Sequence, residues 1–117
     1  MDGLELSQQI TEALLDKQGE DILVLDLQGL TTLTDYFVIC SATSTRQLDA
    51  LEWGVRERLK HMEGGAVLPQ GVEGTPDSGW ILLDYGDVVV HLFSEAMRRY
   101  YDLEDLWRKG RIVTRIH

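Results

Sequence analysis

The stretch Trp80-Ile81-Leu82-Leu83-Asp84-Tyr85-Gly86-Asp87-Val88-Val89-Val90-His91-Leu92-Phe93 restricts the available folds more than any other part of the chain. Two apolar runs stand either side of a Gly-Asp pair, a β-hairpin signal, and predict two antiparallel strands. Elsewhere the apolar periodicity alternates between helix and strand. Leu6, Ile10, Ala13 and Leu14 lie at i, i+4, i+7 and i+8 ahead of Gly19, which predicts a first helix of about three turns. Residues 22–27 read as a strand. After the polar turn 28–34, Tyr36-Phe37-Val38-Ile39-Cys40 reads as another, β-branched and aromatic enough to be buried on both faces. These two strands are expected side by side.

Ser44 with Gln47 three residues on has the form of a capping box, and Leu48, Leu51, Val55, Leu59 and Met62 then keep a 3-4-4-3 spacing along one helical stripe. Gly64-Gly65 closes that helix, and a short strand is expected near residues 66–68. Ser94-Glu95-Ala96 opens another helix running to Tyr101, and Asp102 can cap a further turn carrying Leu103, Leu106 and Trp107. Residues 108–117 have weak strand character only. The order helix-strand-strand-helix-strand-strand-strand-helix predicts a single α/β domain: a mixed sheet of about five strands flanked by helices. Its 117 residues suit one domain, with no internal repeat or linker.

Composition narrows the function. A single cysteine, Cys40, removes any intramolecular disulfide framework, and the three scattered histidines form no finger spacing with it, so a reducing compartment and no bound metal are expected. Cys40 ends a buried strand and reads as a small packed residue rather than a redox switch. No apolar run approaches the roughly 18 residues needed to span a bilayer. No Lys or Arg precedes Lys17, whereas targeting peptides need early positive charge, so the chain as it stands is expected in the cytoplasm. The formal charge is −9, unevenly spread. Residues 1–107 hold all 20 acids and 7 of the 11 bases, and Arg108, Lys109, Arg111 and Arg115 crowd the last ten positions. The body should repel nucleic acid, DNA included. No Lys or Arg occurs between Lys60 and Arg98, where Glu63, Glu73, Asp77, Asp84, Asp87 and Glu95 all fall. Such a surface favours a basic partner; the plainer reading is a solvated acidic face that keeps the protein soluble.

Thr34-Asp35-Tyr36-Phe37-Val38-Ile39, then Ser44 and Gln47, Glu73-Gly74, Gly79-Trp80, Leu83-Asp84-Tyr85-Gly86-Asp87-Val88-Val89-Val90-His91, and Tyr101, Leu103, Glu104, Leu106 and Trp107 form an ordered series. Over roughly residues 5–107 it resembles the Iojap family, also called ribosomal silencing factor or RsfS. The resemblance divides the chain into a family domain, 1–107, and a basic C-terminal tail, 108–117. It implies a non-enzymatic translation repressor without a cofactor. Such a factor binds ribosomal protein fourteen (uL14) of the large subunit on the face used for joining the small subunit, so that occupancy blocks joining and lowers translation under nutrient limitation. It also implies a role in large-subunit biogenesis, a homodimer when free, and a fold like the nucleotidyltransferase core.

Within that frame the acidic stretch acquires a purpose. Asp84 and Asp87 at the hairpin turn can accept charge-assisted hydrogen bonds from Lys and Arg, with Trp80 as the anchor. Strand alternation puts Trp80, Leu82 and Asp84 on one face and Ile81, Leu83 and Tyr85 on the other. The expected partner contacts are Trp80, Leu82, Asp84, Tyr85 and Asp87, and the alternative for Trp80 is plain packing. Tyr100, Tyr101, Leu103, Leu106 and Trp107 read first as packing of the C-terminal turns. The basic tail is expected to touch rRNA phosphates once the body has docked.

The alternative class is a nucleotide- or metal-binding nucleotidyltransferase-like protein. Those enzymes hold two divalent ions with an acidic pair one residue apart on a strand, after a Gly-Ser turn. This chain has Cys40-Ser41 there, and residues 66–72 contain no Asp-x-Asp or Asp-x-Glu, so the catalytic carboxylates are missing. Asp84 and Asp87, three apart, make a poor cation site alone. Ser41 or Ser44 with His91 and Asp84 could suggest a hydrolytic set, but no Gly-x-Ser-x-Gly elbow is present and His91 reads as structural. The turn 41–45 lacks the glycines that let a phosphate approach the backbone, so it reads as a helix cap.

Overall fold

A computed structural model describes residues 1–117. Asp2 starts α1 (Gly3–Asp16) by accepting the Glu5 N–H at 2.8 Å, and the helix buries Leu6, Ile10, Ala13 and Leu14 along one stripe. β1 (Glu20–Asp26) and β2 (Tyr36–Ala42) follow as an antiparallel pair. α2 (Thr45–Lys60) begins at Ser44, whose hydroxyl accepts the Gln47 N–H at 3.0 Å. Gln47 does not return the bond to Ser44. Its Oε1 accepts the Thr43 N–H at 2.7 Å and its Nε2 donates to the Gln18 carbonyl at 2.8 Å, so it ties the corner before β1 to the start of α2. The chain continues through β3 (Gly71–Thr75), β4 (Trp80–Asp84), β5 (Val88–Ser94), α3 (Glu95–Tyr101), α4 (Leu103–Leu106) and β6 (Arg111–Ile116).

The strands form one mixed sheet in the order β3-β4-β5-β2-β1-β6, parallel only where β2 meets β5. Its two faces are covered unequally. On one, α1 and α2 lay stripes of aliphatic side chains, including Ile10, Leu14, Leu51 and Val55, over Val38, Cys40, Ile81, Leu83, Val90 and Leu92, which together form the main core. On the opposite face Leu23, Leu25, Leu27, Ile39 and Phe93 form a smaller cluster, roofed only by Met97 of α3, Leu103 of α4 and Trp107. That leaves the β3-β4 side of this second face open.

Two expectations need correction. Residues 66–68 form no strand; the strand lies at Gly71–Thr75, paired with β4 from Gly71↔Asp84 to Thr75↔Trp80. Gly-Val-Glu-Gly-Thr offers one large apolar side chain, so the strand is held by its backbone ladder and leaves no hydropathy pattern. The basic tail is no appendage either. β6 pairs with β1 from Ile22↔Ile116 to Asp26↔Arg111 and brings the sheet to six strands. Val113 and Ile116 pack on the main core, while the arginines between and before them keep this edge charged.

The hairpin turn forms as expected. The Tyr85 N–H donates to the Val88 carbonyl at 2.9 Å, and Gly86, at φ +85°, supplies the left-handed residue of the two-residue turn. The turn is stitched to the start of β2: Thr34 Oγ1 donates to the Gly86 carbonyl at 3.0 Å, and the Asp87 carbonyl accepts the N–H groups of Asp35 (3.1 Å) and Tyr36 (3.0 Å).

Candidate functional site

The open part of the second face is built by register. β4 presents Trp80, Leu82 and Asp84 there, opposite Phe93, His91 and Val89 of β5, and opposite Thr75, Glu73 and Gly71 of β3. The alternation of β4 is regular, with Ile81 and Leu83 fully buried and the other three side chains half-buried. Trp80 is neither free nor sealed. Its ring stacks on Phe93 (centroids 5.3 Å apart) and lies 4.4 Å from Tyr101, and its Nε1–H donates to His91 Nδ1 at 3.2 Å. A cleft of about 150 Å³ opens beside it, walled by Glu73, Gly74, Ser78, Trp80, Leu82, Met97 and Tyr101. Gly74 permits this wall to stand so close: at φ +83°, a Cβ on it would lie 1.9 Å from the Trp80 carbonyl oxygen.

One acid, Glu73, lines the cleft, and others lie along the same stretch of chain. Glu73, Asp77, Asp87 and Glu95 are exposed and Asp84 is half-buried. Asp84 Oδ1 accepts the Gly86 N–H at 2.8 Å, which fixes the carboxylate at the turn and leaves Oδ2 for another donor. The first base after this stretch, Arg98, is turned inward and only 10% exposed. Its Nε bonds Glu104 Oε1 at 2.8 Å, and its guanidinium reaches the Asp21 carbonyl (2.6 Å) and Ser41 Oγ (2.8 Å). Its charge is therefore engaged inside the fold, and Glu73 and Asp84 stay unmatched by it.

Asp87 is exposed at the hairpin turn with its Cβ towards Gly3 of α1, and three of the five expected contact residues, Trp80, Leu82 and Asp84, reach this surface. Tyr85 does not. It is 7% exposed, belongs to the main core on the other face, and its buried hydroxyl has no hydrogen-bond partner. Burial pushes that phenol up to about 12. The strand parity that puts Asp84 outward puts Tyr85 inward, so its role is to hold the turn from behind.

The structure adds Glu73 and Tyr101. Tyr101, which reads from sequence as packing, is 41% exposed and forms one wall of the cleft. The available clue is its distance from β5: α3 starts just after Phe93, the residue paired with Trp80, so its side chains fall over that pair. Sequence reasoning also misses Trp53. It is 58% exposed on α2, with Lys17 Nζ 5.0 Å above its ring, and it falls outside the buried stripe of that helix. The groove beside it, about 470 Å³, is lined by both signs of charge and lies on the side of the sheet away from Trp80.

The chemical alternatives are occupied by structural bonds. Ser41 Oγ takes Arg98, Ser44 caps α2, and His91 Nδ1 takes Trp80, so Ser41, His91 and Asp84 form no relay. No group of three or more His, Cys, Asp or Glu side chains is placed to hold a metal ion. His91 is 4% exposed and burial lowers its pKa to about 4, while its Nε2 has no partner. The Cys40 thiol is buried and pushed up to about 12, chiefly by desolvation. No helix is long and apolar enough to cross a membrane.

Comparison with known proteins agrees with this architecture. The family model described as "Ribosomal silencing factor during starvation" (RsfS) matches residues 2–116, β6 included. Ribosomal silencing factor RsfS of Bacillus subtilis is 41% identical over 92 residues, covering 79% of this chain and 75% of that protein. A mouse relative, "Mitochondrial assembly of ribosomal large subunit protein 1", is 34% identical over 98 residues, covering 84% of this chain and 43% of its own length. A crystal structure of a Chromobacterium violaceum protein superposes with a TM-score of 0.85 at 40% identity, covering all of this chain and 94% of that one. The chain belongs to the ribosomal silencing factor (RsfS, Iojap) family.

Proposed function

We propose that this protein binds the large ribosomal subunit through the open face of β4 and β5 and, by occupying the joining surface, keeps the small subunit away. The observation that carries the reading is Trp80, held half-exposed beside a small cleft that Glu73 lines, with Asp84 further along the same face of β4. An ordered aromatic that shares its face with Glu73 and Asp84, neither of them in a salt bridge, suits a protein surface rich in Lys and Arg, as surfaces next to rRNA are. The family assignment and the printed names of its relatives support a ribosomal partner. Ribosomal protein fourteen (uL14) is the proposed contact, with Trp80 as anchor, Leu82 and Tyr101 as the apolar surround, and Asp84, Asp87 and Glu73 as acceptors.

The activity proposed is binding, with no catalysed reaction. It acts in the cytoplasm, lowers translation under nutrient limitation, and serves large-subunit biogenesis through the same contact. The bases of β6 and the turn before it supply a secondary contact to rRNA phosphates; among them Arg111 is tethered to Asp26 at 3.1 Å. The free protein is a homodimer, which light scattering tests. The functional test is co-sedimentation with separated large and small subunits at low and physiological salt. Co-migration with the large subunit alone is expected. Absence of co-migration at both salts overturns the reading.

A further inference from the structure

We propose that His91 is a positioning residue for Trp80: its Nδ1, as acceptor for the Trp80 indole N–H, holds the ring in the half-exposed pose that meets the partner. The inference rests on the docking reading above and adds a residue that never touches the partner.

An indole nitrogen can only donate, so the 3.2 Å bond from Trp80 Nε1 requires an unprotonated His91 Nδ1 and puts the ring proton on Nε2. That nitrogen is buried and unpartnered. Were His91 there only to fill space, a phenylalanine or leucine would do so without an orphaned donor. The polar ring is explained by its other nitrogen. Its orientation is restricted from two sides, by the edge of Phe37 (4.5 Å between centroids, 71° between planes) and by Phe93 (6.0 Å, 8°). Neither neighbour competes for Nδ1. Register gives the bond its effect. Trp80 pairs with Phe93, and His91 lies two residues nearer the hairpin turn, opposite Leu82. The bond therefore ties the indole nitrogen to the neighbouring strand one register step nearer the turn, on the face that Asp84 shares.

The test is large-subunit binding by wild-type protein and by His91→Phe, His91→Asn and His91→Gln, together with the Trp80 indole N–H resonance of each. Asparagine places an oxygen where Nδ1 lies; glutamine carries its oxygen about one bond further. His91→Asn is expected to bind within about threefold of wild type. His91→Phe and His91→Gln are expected to weaken binding about tenfold, near the worth of one hydrogen bond, and to give a fast-exchanging indole proton. Should the phenylalanine variant fail to fold, the asparagine and glutamine pair decides. Equal binding by all three variants, or equal loss in all, overturns the positioning role while leaving the docking reading intact. Failure of the wild type to bind sinks the docking reading instead. In that case a fast-exchanging wild-type indole proton also overturns the hold on Trp80, and a protected one sustains it.

Discussion

Trp80 and Tyr85 stand five residues apart in one hairpin and end on opposite faces of the sheet, which is the parity of a strand acting on two aromatic side chains. That parity is readable in the sequence, and it overrules placing Tyr85 at the surface with its neighbours Asp84 and Asp87. His91 reads from sequence as structural, and its bond to Trp80 is illegible there because it joins diagonal rather than facing residues. Trp80→Ala is expected to keep the circular dichroism spectrum and to weaken large-subunit binding about 30- to 1000-fold, measured by titration. Unchanged affinity would remove Trp80 from the site. His91 also makes stability depend on pH. Its folded pKa, about 4, lies below the ordinary 6.5, so as pH falls below 6.5 the unfolded chain takes up a proton that the folded one refuses. Stability drops through that window and the loss ends near pH 4, amounting to about 2 kcal/mol between pH 7.5 and 5. Urea unfolding at both pH values should show the loss in the wild type and not in His91→Asn.

Among the elements, legibility follows hydrophobic periodicity. α2 and the β4-β5 hairpin can be read because Leu48, Leu51, Val55 and Leu59 repeat at helical spacing and two apolar runs meet at Gly86. β3 cannot, since Val72 is its one large apolar residue and its partner strand supplies the order. β6 is hidden by charge: Arg111 and Arg115 suggest a solvated tail, although Val113 and Ile116 pack on the core. Each of these two strands yields a prediction. Gly74→Ala forces a Cβ against the Trp80 carbonyl at positive φ, so β3 must move. A loss of about 2 kcal/mol is expected by urea unfolding, with weaker large-subunit binding because the cleft wall shifts. Removing residues 111–117 strips the outer partner from β1 and should lower the melting temperature clearly. A truncated protein that melts with the full chain would mean that β6 adds nothing to stability.

At the scale of the whole molecule, the two faces of the sheet divide the work. The face under α1 and α2 holds the main core, and the other is roofed only in part, leaving Trp80 and Leu82 half-buried beside Glu73 and Asp84 while the bases of β6 sit at the far edge of the sheet. That polarity would give the proposed docking an electrostatic component, which salt screens. The central claim is that occupancy of the large subunit prevents joining, and the direct measurement is the yield of joined ribosomes on a sucrose gradient from purified large and small subunits. Preincubating the large subunit with wild-type protein should leave the two subunits separate, and preincubation with Trp80→Ala plus Asp84→Ala should restore joining. Subunits that join equally well with wild-type protein saturating the large subunit would contradict the account.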